Sequence, residues 1–153
     1  MNAIRNEIVV SKRKDRKALV FGWFTKSAVV KIPAVNEYLL DVLKQDLKMI
    51  CFCHHKSMMD GIEEMLNHEK INHIRIDGNT PSKLRQEACD TFQKNFNFRI
   101  ALLSITACAT GLNLTAATLV VFAETYWNPG VLCQVVPRIV FFYYITELLL
   151  ITC

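Results

Sequence analysis

The strongest constraint on this chain is an alternation. Four short apolar runs, Met49–Cys53, Ile71–Ile76, Ile100–Leu103 and Leu119–Phe122, are separated by longer segments whose apolar residues fall at helical spacing. Short apolar runs bounded by polar or turn residues read as buried strands. Between them, Val35, Tyr38, Leu39, Val42 and Leu43, then Met58, Ile62, Met65 and Leu66, then Leu84, Ala88 and Phe92, each mark one apolar helix face. Strands alternating with helices in this way build a mostly parallel sheet covered on both sides. The expected fold is α/β, three-layered, around a central mostly parallel sheet.

Local signals set the expected boundaries. Lys31-Ile32-Pro33 reads as the start of the first helix, with proline tolerated in the first turn. Lys56-Ser57 opens the second helix, directly after His54 and His55, which are expected to be exposed at the exit of the first strand. Asp77-Gly78-Asn79 is a turn, Thr80 a natural N-cap and Pro81 a first helical residue. After the third strand, Ala107–Gly111 reads as a short small-residue helix that glycine could cap. The 153 residues, 52% hydrophobic and 21% charged, suit one packed domain.

Several chemistries lack their residues. No Gly-x-x-x-x-Gly-Lys-Ser/Thr loop occurs, so these residues hold no phosphate cradle of their own. A Gly-x-Ser-x-Gly elbow and a His-Glu-x-x-His pair are likewise absent. Cys51-x-Cys53-His54-His55 invites a zinc reading. However, Cys-x-Cys is tight for two tetrahedral ligands and no second pair follows, so no metal site is expected. The six cysteines lie mostly in apolar runs and Met1–Asp15 is polar and basic, which suits reduced core thiols in an intracellular compartment without a signal peptide. A net charge of +4 permits a basic nucleic-acid face without requiring one, and Lys12–Lys17 reads as a solvated basic stretch or a phosphate contact.

The candidate functional residues cluster after the strands, where parallel α/β sheets bind their ligands. In chain order they read Phe52-Cys53-His54-His55-Lys56, then Ile74-Arg75-Ile76-Asp77-Gly78-x-Thr80 with Arg85. Next come Ser104-Ile105-Thr106-Ala107-x-x-x-Gly111-Leu112-Asn113-Leu114, then Val120-Val121-Phe122-Ala123-Glu124-x-x-Trp127-Asn128-Pro129-Gly130 and Gln134. On residue chemistry alone, Gly111-Leu112-Asn113 is as well explained by a helix cap as by a ligand site, and Trp127 by packing as by a partner contact. Together, however, these ordered motifs resemble the second RecA-like lobe of SWI/SNF-type ATPases in helicase superfamily 2. They look most like its HepA-related annealing-helicase branch, over residues 31–134.

The resemblance implies a nuclear motor that hydrolyses ATP with magnesium on forked or junction DNA in replication-fork repair. Its partners would be a first ATPase lobe and, through other regions, a single-strand-binding protein; no membrane is expected. It implies that Gly111, Leu112 and Asn113 face the nucleotide cleft. It also implies that His55, Lys56, Asp77, Gly78, Ser104 and Thr106 lie near the phosphates of one strand, and that Trp127 sits at a hinge-facing edge. The family's Gln-x-x-x-Arg-x-x-Arg-x-Gly-Gln departs here to Gln134-Val135-Val136-Pro137-Arg138-Ile139-Val140-Phe141. Arg138 stands as a remnant of the catalytic arginines and Phe141 replaces the second. An arginine finger contributes on the order of 10³–10⁵ in rate, and Phe141 cannot supply that charge.

The expected organisation is a basic segment or linker over residues 1–30, the lobe over 31–134 and a divergent apolar tail over 135–153. The run Ile139–Ile151 is shorter than the ~20 residues a bilayer crossing needs, and read-through or alternative splicing is its expected origin. Such a lobe would be inactive alone. The alternatives are a non-catalytic DNA- or protein-binding module and a non-functional truncated fragment.

Overall fold

The computed structural model describes residues 13–106, 112, 114–124 and 148–150, with the backbone alone for 13–15 and 148–150. In chain order the elements are α1 (Arg13–Leu43), β1 (Met49–Cys53), α2 (Lys56–His68), β2 (His73–Ile76), α3 (Ser82–Lys94), β3 (Ile100–Ser104), β4 (Leu119–Phe122) and β5 (Leu148–Leu150). Among the described residues the strands form one sheet in the order β2-β3-β1-β4-β5. Every neighbouring pair is parallel. The expected parallel α/β architecture is what forms, and three residues of the apolar tail supply the edge strand beside β4.

The alternation of side chains along each strand divides the core into two layers. Ile50, Phe52, Ile74, Ile76, Ala101, Leu103, Val120 and Phe122 face α3 and pack with its Cys89 and Phe92. Met49, Cys51, Cys53, Ile100, Leu102, Leu119 and Val121 face the other way, against Val35, Leu39 and Val42 of α1 and Met58, Met59, Ile62 and Leu66 of α2. Register puts Phe52 beside Phe122, and their rings stack with centroids 5.0 Å apart. Such a pair contributes about 0.5–1.5 kcal/mol beyond its burial. This locks β1 to β4 immediately before their functional ends.

Three local expectations need correction. The first helix does not start at Lys31 but at Arg13, with Pro33 in its interior. Proline costs a helix one hydrogen bond. Pro33, Val29 and Val30 are all exposed, so water can meet the carbonyl left without its donor. Leu84 is 51% exposed rather than core-facing; α3 buries Cys89 and Phe92 instead. Thr80 is not the N-cap of α3, a position taken by Pro81, because its hydroxyl turns back onto the Asp77 turn.

α1 and α2 cross closely at Gly61. An added Cβ there would lie 2.8 Å from the Ile32 side chain, and Asn36 Nδ2 donates to the Gly61 carbonyl at 3.3 Å. α2 ends where Lys70 turns to φ 57° and Ile71 N–H returns to Leu66 O at 2.8 Å, a left-handed stop that satisfies the last carbonyls. Below the sheet, buried Lys48 donates to the carbonyls of Phe92 and Asn95, capping the end of α3. These contacts fix the helices so that the β1, β2 and β3 exits share one edge.

Candidate functional site

That edge carries six of the residues singled out in the sequence. His55 and Lys56 follow β1, Asp77 and Gly78 follow β2, and Ser104 and Thr106 end β3. The order β2-β3-β1 makes these three exits neighbours, roughly 5 Å apart from strand to strand. Register pairs Cys53 with Ser104, and Ile105 N–H donates to Cys53 O at 2.9 Å, so the two loops leave the sheet together.

The β1 exit is organised by a residue the sequence reading passed over as part of a motif. Glu124, 6% exposed at the end of β4, accepts from the backbone amides of His54 at 3.0 Å and His55 at 2.8 Å. Its second oxygen accepts from His55 Nδ1 at 2.6 Å. Amides at a helix start attract anions; here an internal carboxylate takes up that capacity. Only the strand pairing reveals it: parallel register carried two residues beyond Phe52 and Phe122 sets Glu124 beside His54.

His54 and His55 are consequently half-buried rather than exposed. The Phe24 ring closes over both, with centroids 4.6 Å from His55 and 5.7 Å from His54. Burial, followed by the neighbouring His55, lowers the His54 pKa against an opposing pull from Glu124. Lys56, next in the chain, is exposed. On the opposite side of the loop Cys51 and Cys53 are buried in the core, and burial, then Cys51, pushes the Cys53 thiol well up, away from the thiolate a metal requires.

The β2 exit is a clamped turn. Asp77 Oδ1 accepts from Asn79 N–H at 2.9 Å and from the Thr80 hydroxyl at 3.2 Å. Burial alone would raise the Asp77 pKa; those two bonds and the Arg75 guanidinium outweigh it and hold it low. Arg85, reaching over from α3, donates to Thr80 O at 2.7 Å and Asp77 O at 3.1 Å. A Cβ at Gly78 would meet nothing within 4 Å, so the turn presents open backbone. Behind it Arg75 bridges Asp60 at 2.8 Å and also pairs with Glu63.

At the β3 exit Ser104 is buried and its hydroxyl shares a 2.9 Å hydrogen bond with exposed Thr106. Thr106 is therefore the hydroxyl presented outward. Leu112 points into the α3-side core with Ile105 and Leu114. Gly111, Asn113, Trp127, Gln134, Arg138 and Phe141 lie outside the described residues, as does the expected short helix after Ala107. Among the described residues no three His, Cys, Asp or Glu side chains converge as metal ligands. Among the described residues both strand-end carboxylates are engaged within the fold: Asp77 Oδ1 holds its turn and Glu124 holds the histidine loop.

A hydroxyl, a lysine and open backbone on one edge can grip phosphate oxygens without reading bases. Comparison with known proteins identifies the family and the fold. A family model described as the helicase conserved C-terminal domain matches residues 30–140. The SWI/SNF-related matrix-associated actin-dependent regulator of chromatin subfamily A-like protein 1 of Drosophila melanogaster is 41% identical over 138 residues, 90% of this chain and 18% of that protein. The DNA annealing helicase and endonuclease ZRANB3 of Bos taurus is 43% identical over 121 residues, 78% of this chain and 11% of that protein. This chain thus spans less than a fifth of the length of either. Among solved structures, the C-terminal part of the Fun30 ATPase domain superposes with a TM-score of 0.64 at 28% identity, over 71% of this chain and 35% of that one. The C-terminal domain of the Sulfolobus solfataricus SWI2/SNF2 ATPase superposes with a TM-score of 0.67 at 21% identity, over 83% and 64%. The fold is that of the SWI2/SNF2 ATPase C-terminal lobe.

Proposed function

The chain belongs to the helicase conserved C-terminal domain family, and from that premise we propose that it is the second RecA-like lobe of an ATP-driven DNA translocase of the annealing-helicase kind. It works in the nucleus on forked or junction DNA, in replication-fork repair. The observation that carries this reading is the shared edge of three strand exits, where Lys56, Thr106 and the open Gly78 turn stand side by side. Lys56 supplies the point charge, Thr106 a hydroxyl donor and Gly78 a close backbone approach, which together track one strand's phosphates.

ATP and magnesium are handled between this lobe and another. These 153 residues contain no P-loop, and the strand-end carboxylates are already engaged. The phosphate cradle and the metal ligands therefore come from a first lobe, on the same polypeptide or a separate one. Gly111, Asn113, Gln134 and Arg138 are this lobe's contribution to the nucleotide side and Trp127 its link to the hinge. With Phe141 in place of an arginine, the lobe lowers the barrier less than a family member carrying both.

The test is steady-state ATP hydrolysis with and without fork DNA, by these 153 residues alone and mixed with a purified P-loop lobe of a relative. No turnover alone and DNA-stimulated turnover in the mixture are expected, and Phe141→Arg should increase it. Turnover by the chain alone, lost on Gly111→Asp, would overturn the reading.

A further inference from the structure

α1 is longer than the sheet it covers. Its packing stripe, Ala28, Val35, Leu39 and Val42, is buried, and Phe24 completes the stripe against His54 and His55 at the β1 exit. Everything N-terminal to Phe24 therefore runs past the carboxyl edge of the sheet. From Arg13 to Phe24 that overhang is about 16 Å long at 1.5 Å per residue. It stands on the same edge as Lys56.

The overhang is both aromatic and basic. Trp23 is 37% exposed and Phe21 51%, and Lys26 Nζ lies 5.2 Å from the Trp23 ring centroid. Arg16 and Lys26 fall seven residues before and three after Trp23, on one side of the helix. The overhang carries Arg13, Lys14, Arg16 and Lys17 against the single carboxylate of Asp15, and from there to Glu37 the helix adds Lys26 and Lys31 and no acidic residue. A surface with this charge complements a polyanion. An exposed indole flanked by cations is the arrangement on which unstacked bases lie.

We propose that the overhanging turns of α1, with Lys26 in the turn that follows, form a stacking platform for single-stranded DNA, continuous through Phe24 and His55 with the phosphate-gripping edge. Trp23 takes a base, while Lys26 and Arg16 meet the flanking phosphates. Duplex DNA has no free base face to offer, so it engages the strand-exit edge alone. The proposal rests on the DNA-motor reading above and adds to it a preference for the single strand leaving a junction. The competing occupant is a lipid surface, because the helix over residues 16–43 is long enough to span a membrane and holds an 18-residue stretch with a mean hydropathy of 1.3.

The test is a titration of the full chain with a labelled thymidine oligonucleotide of about 20 nucleotides, longer than a typical single-strand site, with a duplex of equal length, and with phosphatidylserine vesicles. Trp23→Ala is expected to weaken single-strand binding about tenfold, the worth of one stacked base. Trp23→Phe keeps a ring and should lose far less, while removing the indole quenching that accompanies stacking. Lys26→Gln should reduce the salt slope for the single strand by about 0.7. Duplex affinity should be unchanged in all three variants, and circular dichroism confirms that each remains folded. Unchanged single-strand affinity in Trp23→Ala, an equal loss on duplex, or vesicle binding that alone depends on Trp23 overturns the platform. If Lys56→Ala weakens both DNA forms while Trp23→Ala weakens neither, the platform fails and the DNA-motor reading stands. If the unaltered chain binds neither DNA form, that reading fails too.

Discussion

Glu124→Ala is the substitution with the most to say about how the site is held. In the folded chain the carboxylate accepts three hydrogen bonds, two of them from backbone amides that have no mobile alternative. Truncation leaves those amides half-buried and removes the acceptor from the His55 ring. Leaving one buried donor unsatisfied costs about 1–3 kcal/mol, and water reaching the opened space offsets part of it. A loss of about 2–4 kcal/mol follows, which for a chain of this size lowers Tm by roughly 6–12 °C. Glu124→Gln keeps one carbonyl oxygen for both amides and a nitrogen for His55, provided the imidazole changes tautomer, so it should cost about 1 kcal/mol. The assay is urea denaturation of both variants, alone and combined with His55→Ala. Coupling between positions 55 and 124 should be about 1–3 kcal/mol. A Glu124→Ala midpoint equal to the unaltered chain, or additive effects with His55→Ala, would refute the claim that this carboxylate builds the β1 exit.

Two further perturbations probe the frame around the site. Gly61→Ala places a methyl 2.8–2.9 Å from the Ile32 side chain. Overpacking of this kind costs about 1–3 kcal/mol, partly offset by about 1 kcal/mol of helix propensity. A net loss is expected in the urea midpoint, with less than additive damage when Ile32→Ala is added; a fully additive double variant would contradict the contact. The lowered His54 pKa means that the unfolded chain binds the extra proton first on acidification. Stability contributed at this position is therefore intact above about pH 6.5 and falls as pH drops below it. His54→Asn should flatten that slope, and an unchanged slope would show that His54 is not the group responsible.

Much of the fold was legible because buried parallel strands leave an unmistakable trace. Ile100–Ser104 is wholly apolar up to its last residue and is buried at every position. The helix starts were harder. Pro33 reads locally as a beginning, yet a helix already held by the Ala28 and Val35 contacts continues through it on its solvent side. Leu84 follows the apolar spacing but is half exposed, because the helix packs on the core through Ala88, Cys89 and Phe92 further along. In the site, the residues flanking each strand were visible as motifs while their division of labour was not. Ser104 and Thr106 look equivalent in sequence, and only burial tells which hydroxyl faces outward. Glu124 was hidden for a different reason: its partners His54 and His55 are some seventy residues away in the chain and come beside it only through the pairing of β1 with β4. Arg85 is a similar case, a clamp on the Asp77 turn delivered by the following helix.

The central claim is that three strand exits form one phosphate-gripping edge. Amide chemical-shift mapping of the isotope-labelled chain, titrated with short duplex DNA, tests it most directly. The expected shifts concentrate at residues 55–57, 77–80 and 104–106, and weaken together as salt is raised. Shifts confined instead to the Asp60, Glu63 and Arg75 face, or spread evenly over the surface, would contradict the account.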